Sequence, residues 1–482
     1  MSHPSWPTDL PPTVNCPYCL AQVDTSRARS VIRDIATQEV QGDVTDAVRQ
    51  RGLLAVAAYN RGNTYLECRR EARLDPVGQA EPGHHTDPFD HPTDVLDGST
   101  TVFAADPGDG APTTVFSGGT GFDDAEDEPP RSPFALGEDA DDGDDWESTT
   151  GAQPRPAPLD PQPDENELSE PHYIPYEYCQ IPRTLNIGLI GTTRSGKSHL
   201  LAAMLHRLQE EEEELAALGV YVQPFAEMWE HYMQREDVAG FLAPDQRTAL
   251  RRTNRTDPVE FRMAYTVTST WNGEETDCVV SFFDVAGELF LDSKARSRLQ
   301  FIYGLDAYIF VADGQSLYGW DGKRRGLLHP SGFGNVINKL RQDERLVARA
   351  SGQRKHPLPK PAVVVLAKAD LLLAQEEYWV SRWLERDDEF QLETVDQESE
   401  DVYVYCATNG AREWLQPVNA FEDATLHFAS ATGCEERDGR YNKRKFRHMR
   451  VLRPLLSLFA MTGLIDPQTI NHAYVRGVHE PA

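Results

Sequence analysis

The feature that most constrains this chain is Ile187-Gly188-Leu189-Ile190-Gly191-Thr192-Thr193-Arg194-Ser195-Gly196-Lys197-Ser198. An apolar run over 185–190 enters G-x-x-x-x-G-K-S, after which Leu200, Leu201, Met204, Leu205 and Leu208 recur at helical spacing. A buried strand must therefore pass through a glycine loop straight into a helix, the order found in α/β sheets with helical crossovers. Gly191 and Gly196 let the loop curl so that successive N–H groups of Thr192, Thr193, Arg194 and Ser195 face inward toward phosphate oxygens. The following helix turns its positive N-terminal end to the same anion. Lys197 is placed to reach β- and γ-phosphates, and the Ser198 hydroxyl to coordinate Mg²⁺.

A hydrophobic fraction of 39% is low for a fully folded chain of 482 residues. The shortfall is local. Residues 81–170 hold 24 acidic side chains and 13 prolines against only Arg131 and Arg155. Such a segment buries too little apolar surface to offset its ordering entropy, so 76–170 is expected to be a disordered acidic stretch between a small module, 1–75, and a larger domain, 171–482. Phe89, Phe103, Phe116, Phe122, Phe134 and Trp146 punctuate it as spaced anchors for a protein partner. The rest of the chain carries about −8 of the net −30 and has no basic stripe, so nucleic acid is not an expected partner. No apolar run approaches the roughly 20 residues that span a bilayer, and the N-terminus lacks a basic and apolar signal region. A cytoplasmic location follows. Seven scattered cysteines fit a reducing compartment better than a disulfide framework.

Cys16-Pro17-Tyr18-Cys19 is a tight turn that lets two thiolates face one metal, and Zn²⁺ is the expected ion. Two further ligands are needed. Cys68 and Cys179 are the candidates, with His84, His85 or His172 able to replace a missing thiolate, and a plain metal-free turn is the alternative. If Cys179 ligates, the acidic segment is an insertion inside a zinc module.

From residue 181 onward strands and helices alternate, with strands expected at 259–268, 277–283, 307–313, 362–366 and 402–406. The runs Ala307-Tyr308-Ile309-Phe310-Val311 and Val363-Val364-Val365-Leu366 are apolar throughout, as central parallel strands are.

Three further motifs stand at strand ends. Phe282-Phe283-Asp284-Val285-Ala286-Gly287-Glu288 offers an Asp to Mg²⁺ and the Gly287 N–H to a γ-phosphate. Together with the glycine loop, this D-x-x-G resembles the Ras-like GTPases of the TRAFAC clade. Leu366-Ala367-Lys368-Ala369-Asp370 looks like that family's guanine-specificity motif N-K-x-D, with Ala in place of the usual Asn or Thr. The resemblance implies that Asp370 reads the guanine N1 and N2 groups while the Lys368 stem covers the ring. Tyr405-Cys406-Ala407-Thr408-Asn409 stands for S-A-K, which implies that the Ala407 N–H meets guanine O6. It implies a Mg²⁺-binding switch Thr before the second strand, Thr256 or else Thr253. Glu288 stands where the family has its water-orienting Gln. Arg194, Arg252 and Arg255 are candidates for an arginine finger in cis.

The cysteine module ahead of the domain is similar to the double-GTPase group of bacterial conflict systems. The Ras-like resemblance implies a P-loop NTPase G domain, a mostly parallel sheet flanked by helices, that binds GTP or GDP with Mg²⁺, and the negative charge of Glu288 beside a γ-phosphate makes hydrolysis slow. The likeness to the double-GTPase group implies a regulatory or assembly role toward protein partners, including a second GTPase. A nucleotide-dependent scaffold with little hydrolysis is the alternative, as is a P-loop ATPase, which Ala367 favours.

Overall fold

Short stretches near the N-terminus form β1 (Thr13–Asn15), β2 (Gln22–Asp24), β3 (Arg29–Arg33), β4 (Val40–Asp43) and β5 (Thr64–Cys68), the last buried at every residue. The computed structural model describes residues 11–33, 39–51, 64–69, 171–251, 259–285, 302–317, 331–341, 357–373 and 378–470. The expected acidic segment, His84, His85, Arg252, Thr253, Arg255, Thr256, Gly287 and Glu288 lie outside them. The chain divides into two units, one joining Met1–Gln79 to Glu170–Ala482 and the other Ala80–Ser169. The second unit lies outside the described residues.

β1 and β2 form a two-stranded hairpin. β3, β4 and β5 join β6 (His172–Pro175) in an antiparallel sheet of order β4-β3-β5-β6. β5 and β6 are neighbours although about a hundred residues separate them in sequence, and Cys68 sits opposite His172 in their register. A one-turn helix, α1 (Tyr176–Cys179), then leads toward the larger sheet.

That sheet is mixed α/β in character and has seven strands. β7 (Thr184–Ile190), β8 (Val220–Pro224), β9 (Val259–Ser269), β10 (Thr276–Val285), β11 (Ala307–Asp313), β12 (Ala362–Ala367) and β13 (Ala424–Phe428) are arranged β13-β12-β11-β7-β10-β9-β8. The five strands from β13 to β10 are parallel, while β9 runs antiparallel to both its neighbours. Side chains alternate between two cores. Ile309, Val311, Val363 and Val365 face one, while Tyr308, Phe310, Val364 and Leu366 face the other. Both faces are therefore covered, which is why these strands read as unbroken apolar runs. The helix α2 (Lys197–Glu210) closes the first core with Leu200, Leu201, Met204, Leu205 and Leu208.

Two corrections concern the elements. The edge strand β8 was not expected, because its run Val220-Tyr221-Val222 is short and is followed at once by Gln223 and Pro224. Residues 402–406 are not the last strand. They lie in the helix α3 (Val395–Thr408), whose buried Val395, Glu398, Ser399, Val402, Tyr405 and Cys406 follow a helical period. The strand beside β12 is instead β13, which the buried polar Thr425 and His427 hide in the sequence.

Candidate functional site

β7 is flanked by β10 on one side and β11 on the other, so the connections leave it in opposite directions. The crevice outside the carboxyl ends of such strands is where ligands bind in open α/β sheets. Each motif residue that the structure describes, apart from Ala407, sits at this edge. The loop 191–196 follows Ile190, Asp284 is the penultimate residue of β10, and Lys368 follows Ala367 of β12.

The loop is built around two glycines with different tasks. A Cβ on Gly191 would lie 2.4 Å from the Val311 carbonyl oxygen and 2.8 Å from Ser195 Oγ, so the backbone passes where no side chain fits. Gly196 has φ +97° and turns the chain into α2. Arg194 also takes a left-handed φ of 69°, and with Thr193 it is exposed at the loop tip, whereas Ser195 is buried. Lys197 is 7% exposed, and its Nζ donates to the carbonyls of Gly191 at 2.7 Å and Thr192 at 3.1 Å. The ammonium is thus folded back over the loop and not into the core. Ser198 Oγ donates to Asp284 Oδ2 at 2.5 Å, and Asp284 is fully buried.

The second half of the crevice is held just as closely. A Cβ on Gly196 would lie 3.7 Å from Ala367 Cβ and 3.8 Å from Lys368 Cγ, so the loop rests beside the Ala-Lys-Ala-Asp segment. Lys368 adopts φ 55°, and its Nζ pairs with Asp313 Oδ1 at 3.1 Å. A backbone held in that region by a non-glycine residue costs of order 1–3 kcal/mol and is typical of ligand clamps. Asp370 accepts a 2.5 Å hydrogen bond from Ser430 Oγ. Burial lifts the Asp370 carboxyl above the ordinary aspartate range, and the Ser430 hydroxyl opposes that rise. Ser430 Oγ also accepts from the Gly433 N–H at 2.9 Å, and Ala369 N–H donates to the Ala429 carbonyl at 3.1 Å. The turn after β13 is therefore tied to Asp370 by both side chain and backbone.

Ala407 is not at this edge. It lies in the last turn of α3, and the residues beside Asp370 are Ala429, Ser430 and Ala431. Sequence reasoning missed them although Ser430-Ala431 repeats the S-A pair the motif requires. The signal was the short run 424–428 just ahead of it, passed over in favour of the β-branched and aromatic residues at 402–406.

The cysteines form a separate centre. Cys16, Cys19, Cys68 and His172 place one donor atom each within 4.8 Å of one another, a set that can hold a metal. Cys179 is not among them. Its buried thiol points to the Pro175 carbonyl at 3.5 Å, and burial alone pushes that thiol up. Within the cluster burial pushes Cys16 up, whereas hydrogen bonds from Cys16 and Cys68 hold Cys19 far below the usual thiol range. Burial pulls His172 down, but its bonds to Cys19 and Cys68 outweigh that and raise it to about 9.

Weak structural similarity to solved proteins covers about half of the chain. The solved structures it is similar to include the Ski7 GTPase-like domain of S. cerevisiae bound to GTP, at 15% identity and a TM-score of 0.25, with 52% of this chain and 43% of that one covered. The same domain bound to GDP and inorganic phosphate matches at 17% identity and a TM-score of 0.25, covering 52% and 44%. The match thus spans less than half the length of either structure. No protein family and no curated protein matches the chain. Among the described residues, no helix is long and apolar enough to cross a membrane.

Proposed function

We propose that this chain is a guanine-nucleotide-binding switch that hydrolyses GTP slowly with Mg²⁺ and presents its nucleotide state to protein partners in the cytoplasm. The observation that carries this reading is the 2.5 Å contact between Ser198 Oγ, in the first turn of α2, and Asp284 Oδ2, near the end of β10. A hydroxyl and a carboxylate so placed are the hard oxygen donors that Mg²⁺ prefers. Ser198 and Asp284 would hold the ion, with Thr256 completing the set, and Mg²⁺ bound there would neutralise charge on the β- and γ-phosphates.

The chain's own residues do the rest. The N–H groups of 191–196 cradle the phosphates, and Lys197 exchanges its carbonyl partners for phosphate oxygens. Asp370 and Lys368 take the guanine edge and face, and the role first given to Ala407 passes to Ser430 and Ala431. Gly287 reports the γ-phosphate. Glu288 positions water beside like charge, and the exposed Thr193 obstructs a finger from a partner, so hydrolysis is slow. Ala367 weakens base selection and favours a second reading, an ATPase.

Titration of a fluorescent GTP analogue into the full chain tests the assignment. Lys197→Ala is expected to abolish binding while leaving the fold intact, and Asp370→Asn to move preference from guanine toward xanthine, because an acceptor becomes a donor. Undiminished affinity in folded Lys197→Ala, or displacement of GTP by equimolar ATP, overturns the guanine reading. Single-turnover release of labelled phosphate separates a switch from a scaffold that does not hydrolyse.

A further inference from the structure

We infer that Cys16, Cys19, Cys68 and His172 form a tetrahedral Zn²⁺ site that locks the N-terminal knuckle against the turn preceding β11. Tetrahedral zinc with Zn–S of about 2.3 Å and Zn–N of about 2.05 Å requires sulfurs about 3.8 Å apart and sulfur-to-nitrogen separations of about 3.5 Å. Cys19 Sγ and Cys68 Sγ are 3.8 Å apart, and Cys16 Sγ is 3.6 Å from His172 Nδ1. These edges match that solid, whereas a disulfide needs sulfurs about 2.05 Å apart. The backbone agrees. Leu20 takes φ 59° and donates its N–H to the Cys16 carbonyl at 2.8 Å, folding the turn so that the Ala21 N–H is directed at Cys19. A thiolate accepting such a bond is held in place as a ligand. The other two donors come from directly opposed positions of β5 and β6. One ion therefore joins the knuckle to a sheet whose strands lie about a hundred residues apart in sequence.

The knuckle meets the larger sheet through Asn15, whose Nδ2 donates to Thr184 Oγ1 at 3.2 Å, and through Leu20. A Cβ on Gly304 would come 3.2 Å from Leu20 Cβ, and Leu20 packs on the core that contains Ile302 and Leu305. The ion fixes the turn that carries Leu20, so it also braces this approach to β11.

Purified full-length protein should contain about one zinc per chain by elemental analysis, and chelation followed by Zn²⁺ alone should restore it. Cys179→Ser should keep that content, whereas Cys16→Ser and His172→Ala should lower zinc affinity by about tenfold or more. Because a ligand variant can fail to fold, replacement of the ion by Co²⁺ in the unaltered chain supplies a second test. Intense visible bands of tetrahedral cobalt with sulfur charge transfer are expected. Hydrogen exchange at 302–306 should quicken on chelation. Protein that takes up no stoichiometric Zn²⁺, a cobalt spectrum without sulfur charge transfer, or loss of metal from Cys179→Ser equal to that from Cys16→Ser overturns the site. Unchanged exchange at 302–306 overturns the bracing.

Discussion

Gly191 has no positive φ to justify it, and the side chain it lacks is excluded by space alone. Gly191→Ala forces a methyl group into the Val311 carbonyl. Overpacking of this kind costs about 1–3 kcal/mol, and a lowered urea midpoint with weakened nucleotide binding is the expected result. His448 provides a pH-dependent counterpart. Its Nδ1 donates to the Ala431 carbonyl at 2.6 Å beside the Ser430 turn. Burial lowers its pKa to about 4, and His206, Arg207 and Arg247 facing it push the same way, while the Ala431 carbonyl opposes them. A histidine depressed in the folded state stabilises fully above its unfolded value near 6.5, and loses that contribution as pH falls toward 4. The loss amounts to about 3 kcal/mol at most. Urea titrations at pH 7 and pH 4.5 should show a smaller difference for His448→Gln than for the unaltered chain. His199, lowered to about 4 chiefly by burial, adds a loss of the same sign that persists in both proteins. At this scale the place of the glycine loop between β7 and α2, and of Asp370 just beyond β12, was legible in the sequence. His448 was not, since its partner is a backbone carbonyl brought close by the turn.

The element that anchors β13 is α3. Its Glu398 is fully buried and accepts from Arg453 Nε at 2.6 Å, from Arg450 Nη2 at 3.0 Å and from the Phe428 N–H at 3.2 Å. Burial would raise Glu398, but Arg450 and His427 hold it well below the usual range. Burial lowers His427 and keeps it neutral, so its Nδ1–H donates to Glu398 and its Nε2 accepts from Thr425 Oγ1. Arg450 also reaches Asp388, and Arg453 reaches the Asp388 carbonyl at 2.8 Å. The carboxylate thus ties α3 to β13 and to the helix Arg453–Met461. Glu398→Ala leaves two buried guanidinium groups without their shared partner. A loss of about 3–5 kcal/mol is expected in chemical denaturation, larger than for truncating an exposed carboxylate such as Glu393. This network also explains why α3 was misread. A buried Glu and Asp break the apolar period that marks a helix face, and a buried His does the same to β13. Polar residues satisfied only by distant partners give no local signal. By contrast β11 and β12 could be read within a residue or two from almost wholly apolar runs, and β7 and β10 from mostly apolar ones.

Across the whole molecule, the strand after the acidic segment completes the N-terminal sheet. Cys68 pairs with His172, so the intervening chain is a loop closed by two neighbouring strands. Loop-closure entropy changes by only about 0.6 kcal/mol for each doubling of length. Replacing residues 80–169 by a ten-residue Gly/Ser linker shortens that loop about fourfold, and should therefore leave zinc content and nucleotide affinity unchanged and raise stability by about 1.3 kcal/mol. Loss of either ligand in that variant would assign the segment a folding role. Three of the four clustered donors, Cys16, Cys19 and Cys68, were named from the sequence, where the C-P-Y-C turn is a local signal. Cys179 was put fourth, with His172 as one possible substitute, since the choice between residues seven apart depends on which of them faces β5.

The same topology sets an order of events during synthesis. Ribosomes add roughly 5–20 residues per second. The three cysteine ligands emerge about a hundred residues ahead of His172, so each nascent chain displays an incomplete thiol trio for about 5–20 s. In that interval oxidants, thiol-modifying agents and competing soft metals have an opening that the finished protein denies them.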